Sequence, residues 1–226
     1  MADYFMTRHW PSPQGDCFDR AQALTTTPGV NGWNVKDTSA SGTPTYLCGS
    51  GGGMVLTIAS TSEAEIVTMY QNDVLAFDID EIQSVEFFAK VSGIDSVTTL
   101  VMGLASAQND TPDSTTNNAW FRMEGSASTS NVVVETDDNV NDNDDKATGT
   151  TLSSTLKRFV IDFTFGKSDV RFYIDDHQRV AASTTFDMSN ATGNLQPFFQ
   201  IQKASGTGTP AVTIEYFKLI YSKVHD

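Results

Sequence analysis

The chain has 226 residues, 39% hydrophobic and 19% charged, with 14 Lys and Arg against 28 Asp and Glu for a net charge of −14. That is enough apolar sequence for one substantial core, while the acidic balance argues against the basic footprint of nucleic-acid binding and against an anionic membrane surface. No apolar run approaches the roughly 18 residues of a membrane span, and the plentiful Thr, Ser, Asn, Asp and Gly point to many strands joined by polar turns.

Residues 1–16, MADYFMTRHWPSPQGD, are aromatic, proline-punctuated and irregular, and read as an arm ahead of a single domain over 17–226. Tyr4, Phe5 and Trp10 lie before the first clear strand, poorly placed for a central core, so they are candidate interface residues. The alternative is that the arm folds back onto its own domain. No basic-then-apolar export pattern precedes it, which predicts a chain made in a reducing cytosol with Cys17 and Cys48 as thiols. Sequence alone leaves open whether the two cysteines pair. Asp16 is positioned to cap a short helix over 17–24.

Turn signals GVNGW (29–33) and GSGGG (49–53) follow, then strands in quick succession. MVLTIA covers 54–59. EIVTMYQ, 65–71, has Ser62 and Glu65 in a capping-box spacing, but its β-branched content and shortness favour strand. VLAFDI, IQSVEFFAKV and VTTLVMGLA come next, with Val85, Phe87 and Ala89 alternating against Glu86, Phe88 and Lys90. QNDTPDSTTNN is a long polar loop. AWFRMEG puts Trp120 and Phe121 on opposite faces of a strand. NVVVET leads into the acidic DDNVNDNDDKATG, read as a solvated loop.

In RFVIDFTFGKSDVRFYIDDHQRVA, Phe159, Ile161, Phe163 and Phe165 share one predicted face, as do Val170, Phe172 and Ile174 on the next strand. LQPFFQIQK and VTIEYFKLIYS close the chain. Roughly eleven or twelve short strands with turns every 8–12 residues predict an all-β, antiparallel two-sheet sandwich with little helix.

The chemical motifs are fragmentary. GKS at 166–168 lacks the earlier glycine of a phosphate loop and precedes a strand rather than a helix. FDIDE places Asp78, Asp80 and Glu81 together, but Glu81 breaks the strand alternation a catalytic carboxylate set would keep, which points to a turn. Asp137, Asn139, Asn141, Asn143 and Asp145 offer alternate oxygen ligands. A calcium loop, however, would have Gly where Asp142 stands and Glu where Thr148 stands. His9, His177 and His225 form no metal-ligand spacing, and no nucleophile-elbow sequence accompanies His177. Trp33, Tyr46 and Trp120 are candidates for a glycan-stacking platform, with core packing as the alternative for an aromatic on a strand.

The run from RFVIDFTFGKSDVRFYIDDHQRVA through LQPFFQIQK to VTIEYFKLIYS resembles the second half of concanavalin A-like, or laminin G-like, jelly rolls. Asp175-Asp176 stands where that group has Asp-Gly, and Glu215-Tyr216 where it has Asp-Tyr. The resemblance covers roughly residues 50–221 and implies fold more than role. Catalytic members of the group carry Glu-x-Asp-x-x-Glu or Glu-x-Asp-x-Glu on one strand, and no such set occurs here. No metal ligands of the lectin branch can be transferred either. Within the group, AWFRMEG and the hairpin are similar to jelly-roll structural proteins of tailed bacteriophages.

Two expectations follow from that resemblance. The first is a non-enzymatic viral structural protein without cofactor, a capsid decoration or fibre-type jelly roll. It would be made in the host cytoplasm, located on the virion, and assembled as a homo-oligomer, most simply a trimer, through contacts with capsid or other virion proteins. The second is a carbohydrate-binding module or degenerate glycanase.

Overall fold

In the computed structural model, residues 5–9, 33–48, 53–75, 77–175 and 178–222 are described. Tyr4, Trp10, the expected helix over 17–24, Cys17, His177 and His225 lie outside them.

Among the described residues, sixteen strands are arranged in two antiparallel sheets. The back sheet runs β14 (Gln178–Val180), β13 (Arg171–Ile174), β12 (Lys157–Asp162), β7 (Ile82–Ser92), β16 (Ala211–Ser222), β4 (Met54–Thr57) and β3 (Thr45–Cys48). Beside β16 on that sheet also lies β1 (Phe5–His9), with Phe5 opposite Ser222 and His9 opposite Lys218. The front sheet runs β11 (Asp142–Thr151), β10 (Asn131–Asp137), β9 (Asn118–Glu124), β8 (Thr98–Ala105), β15 (Asn194–Lys203), β5 (Glu65–Tyr70) and β2 (Asn34–Asp37), with β6 (Phe77–Asp78) pairing β15. Only two short 3-10 turns, Pro112–Ser114 and Lys167–Asp169, interrupt the strands among the described residues.

The two-residue period places the core. Val85, Phe87 and Ala89 of β7 face inward, as do Leu100, Met102 and Leu104 of β8 and Phe121 and Met123 of β9. Phe87 sits at the centre, stacked on Phe159 at 5.2 Å and edge-on to Phe121 and Phe199 at 6.0 and 5.3 Å. The expected core residues Phe159, Ile161, Phe163, Val170, Phe172 and Ile174 are all buried. Pro197 lies in a central strand without conflict, because β5 pairs β15 only from Phe198 onward and β6 only at Asn194 and Leu195. No neighbour on that side requires the missing N–H.

Two expectations are corrected. Phe165 does not share the face of Phe159, Ile161 and Phe163: β12 ends at Asp162, the chain turns, and Phe165 is 52% exposed beneath the Arg171 guanidinium, 3.3 Å from its ring centroid. The acidic segment is not wholly a loop, since Asp142–Thr151 forms the edge strand β11, with register shifts against β10. Its polar residues give no alternation to read, and charge is a common way to blunt a sheet edge. Phe5–His9, within the expected arm, pairs with β16, in keeping with the alternative that this segment folds back onto its own domain.

Two polar clusters tie loops to the frame. Lys203 and Glu65 are a buried ion pair at 3.7 Å. Lys203 Nζ also donates to the carbonyls of Ala59, Thr61 and Gly208, and Glu65 accepts from Ala59 N and the Thr61 hydroxyl. Asp138 accepts from Val140 N, Asn141 N and Nδ2, and Asn190 N and Nδ2, joining the β10–β11 turn to the 189–191 segment.

Candidate functional site: the outer face of the front sheet

The other half of the period sends Asn118, Trp120, Arg122 and Glu124 of β9 away from the core, beside Val101 and Ala105 of β8, Phe198 of β15 and Tyr70 of β5. Such a face on a two-sheet protein normally meets water. Here Tyr70, Val101, Ala105, Trp120 and Phe198 form a second, separate buried apolar cluster. Trp120 and Phe198 are roughly stacked, with ring centroids 6.0 Å apart.

The cover is the β8–β9 loop, residues 106–117. Ser106 N donates to Asn117 O at its base. From there the loop crosses the sheet. The Arg122 guanidinium pairs with Asp113, Gln200 Nε2 donates to Asp110 O at 3.3 Å, and Lys36 on β2 pairs with Asp110 at 3.2 Å and donates to Gln108 at 2.7 Å. Gln108 N donates to Asp73 Oδ1 at 2.8 Å, tying the loop to the turn after β5. Pro112 and Thr115 are buried against the sheet.

Arg122 is the electrostatic centre of the face. Besides Asp113 it contacts Glu124 at 2.8 Å and Glu135 of β10 at 3.1 Å. Burial works against its charge, but the carboxylates around it outweigh that and hold the guanidinium above its usual range. Glu135 is 2% exposed, and burial pushes its carboxyl up to about 7 despite the attraction of Arg122. The Trp120 indole N–H lies on the side of that carboxylate and favours its charged form, without reaching ordinary hydrogen-bond geometry. On β11, burial and the neighbouring Asp142 raise the Asp144 carboxyl.

Beside this cluster the face opens into a cleft of about 230 Å³ lined by Glu124, Ala127, Ser128, Asn131, Val133 and Asp145. Two carboxylates, an amide and a hydroxyl line it together with a small apolar patch. Such a lining matches ligands that present hydroxyls on one edge and C–H groups on a face.

The sequence-predicted site residues do not converge. Trp33 is in the main core, edge-on to Phe217, and Tyr46 packs against the same core from the back sheet. Trp120 alone reaches the outer face, where the loop covers it completely. These three therefore form no exposed platform. Asp78, Asp80 and Glu81 form a turn: Asp78 Oδ1 accepts from Asp80 N, and Asp80 pairs with Lys167 at 2.9 Å. Lys167 of the GKS stretch also donates to Ala191 O, and β13 follows. Among the described residues no group of three or more His, Cys, Asp or Glu is arranged to hold a metal ion. Arg122, Glu135 and the cleft were not singled out from sequence. The one available signal was an arginine set between apolar residues of β9.

No protein-family model and no curated protein matches the sequence. Solved structures do match the fold. The Emp47p carbohydrate recognition domain is 10% identical, covering 94% of this chain and 100% of its own, with a TM-score of 0.57. A β-1,3-glucanase from Mycobacterium marinum is 10% identical, covering 88% and 94%, with a TM-score of 0.56. A glycoside hydrolase family protein from Mycobacterium thermorestibile is 11% identical, covering 95% and 99%, with a TM-score of 0.57. The chain thus has a concanavalin A-like jelly-roll fold, shared with carbohydrate-recognition domains and glycanases.

Proposed function

We propose that the chain is a non-catalytic carbohydrate-recognition module whose ligand enters at the cleft between Glu124, Ser128, Asn131 and Asp145. The observation that carries this reading is the cleft itself, which sets hydrogen-bonding side chains around an apolar patch on the outer face of the front sheet. The likeness in fold to a carbohydrate-recognition domain and to glycanases supports the class of ligand, within the limit that a fold hosts many roles.

The non-catalytic part rests on β9. Its outward residues are Asn118, Trp120, Arg122 and Glu124, which include one carboxylate and not the alternating Glu and Asp that catalytic members of the group hold on one strand. Glu124 and Glu135 both pair with Arg122, and Glu135, whose carboxyl burial raises to about 7, is buried and does not line the cleft. A glycosidase needs one carboxyl kept protonated and a second left free to attack or to activate water. No observation on the described residues favours attachment to a viral particle over sugar recognition.

Calorimetric titration with β-1,3-glucan oligosaccharides tests the reading. Binding to the native chain, weakened about tenfold by Asn131→Ala with the fold unchanged, is the expected result. No binding across a panel of neutral glycans ends the proposal. Release of reducing ends, abolished by Glu124→Gln, replaces it with a glycanase.

A further inference from the structure

We infer that the β8–β9 loop is a lid over a second, covered saccharide subsite, a trough floored by Trp120, Phe198 and Tyr70 that receives the neutral sugar rings beyond the open cleft. The inference rests on the carbohydrate reading above for its ligand class. The lid itself rests on geometry alone.

An aromatic cluster on the outward face of a sheet makes no contact with the main core and adds nothing to inter-sheet packing. Its burial depends on twelve loop residues whose attachment is chiefly polar. The ties are Asp113 to Arg122, Asp110 and Gln108 to Lys36, Gln108 N to Asp73, and Gln200 to Asp110 O. Lys36 and Asp110 are each more than one-third exposed, so water competes for the pair at the far end of the loop. Pro112 is the one buried apolar residue the 3-10 turn brings to the contact.

The closed state also leaves polar atoms without partners. Asn34 Oδ1 on β2, Asn118 Oδ1 on β9 and Thr115 Oγ1 in the loop are buried with no hydrogen-bond partner. Asn34 is level with Tyr70 in the register, and Asn118 with Ala105, so both belong to the trough side of the sheet. Buried unsatisfied groups disfavour the state that contains them. Opening the loop hydrates them, and a bound sugar supplies hydroxyl groups to the same atoms.

The chemistry of the trough selects the ligand. Its floor and walls are Trp120, Phe198, Tyr70, Thr68, Gln196 and Gln200, all uncharged side chains, while the Arg122–Glu135 ion pair borders it beside Trp120 on the way to the cleft. Aromatic faces stack on the C–H side of a pyranose, and amide side chains both donate and accept toward hydroxyls. Gly103 adds no side chain to the floor.

The test loosens only the far end of the lid. Lys36→Met with Asp110→Asn removes the ties at β2 and leaves Arg122 and the cleft untouched. We expect acrylamide quenching of tryptophan fluorescence to rise about twofold. We expect affinity for a β-1,3-glucan hexasaccharide to rise at least fivefold, and affinity for the disaccharide, which fills only the cleft, to stay constant. The native chain in 1 M NaCl gives the quenching readout without substitution. Unchanged quenching in both settings overturns the lid. Increased quenching with unchanged hexasaccharide affinity overturns the trough as a sugar site, and if the disaccharide still binds, the carbohydrate reading survives that failure.

Discussion

Gly103 and Trp120 face each other across β8 and β9, and the tryptophan occupies the space a side chain at 103 would need. A Cβ built on Gly103 would meet the Ala119 carbonyl oxygen and lie 2.8 Å from Trp120 Cα. Both obstacles are backbone, which cannot swing aside. Gly103→Ala should therefore destabilise the protein by about 2–3 kcal/mol or more, as overpacking does in a close-packed site. Urea denaturation measures it. A loss under about 0.5 kcal/mol would mean that β8 and β9 are farther apart at this point.

Glu135 gives the protein a pH dependence with a definite sign. Its folded carboxyl is raised from the ordinary 4.5 to about 7, chiefly by burial. Between those values the folded state holds a proton that the unfolded chain has released, so stability falls as pH rises through this window. The penalty is complete above pH 7 and absent below pH 4.5. Glu135→Gln removes the titration while Arg122 keeps Asp113 and Glu124. The variant should gain on the order of 1–3 kcal/mol over the native chain at pH 8 and match it near pH 5. Equal differences at both pH values would contradict the assignment.

Asp138 works in the opposite direction. Burial pushes its carboxyl up, but hydrogen bonds from Asn141, Asn190 and Val140 outweigh burial and hold it below the usual range. Its contribution is present above the unfolded value near pH 4 and is lost as pH falls through the lowered folded value. Asp138→Ala leaves five donors without an acceptor and should cost about 2–4 kcal/mol at neutral pH. Guanidinium denaturation at pH 7 reads the loss. A change within about 0.5 kcal/mol would show that water replaces the carboxylate freely.

The phenylalanines of one short stretch divide sharply. Phe159→Ala should cost about 3–5 kcal/mol, because its ring is enclosed by Phe87 and Phe121. Phe165→Ala should cost under about 1 kcal/mol, because it removes an exposed ring that contacts Arg171. Thermal melts of the two variants separate these cases. Equal losses would place Phe165 inside the sandwich.

The sequence by itself determined the fold class and most strands, because burying one face of a strand forces a period of two wherever apolar residues are available to show it. Phe159 to Phe163, Val170 to Ile174, and Val85 to Ala89 carry that period plainly. Where the pattern lacks apolar residues it has nothing to report, and so β11, built from Asp142 to Thr151, is invisible until β10 pairs with it. The same limit applies to the candidate site. Alternation separates Trp120 from Phe121, but it cannot say that a loop twelve residues long crosses four neighbouring strands to bury the outward partner. Alternation puts Glu124 beside Arg122 on β9, but it cannot show that Asp113 from the loop and Glu135 from β10 also meet on that arginine. Those two contacts come from a neighbouring strand and a crossing loop, and only tertiary pairing brings them within reach of a hydrogen bond.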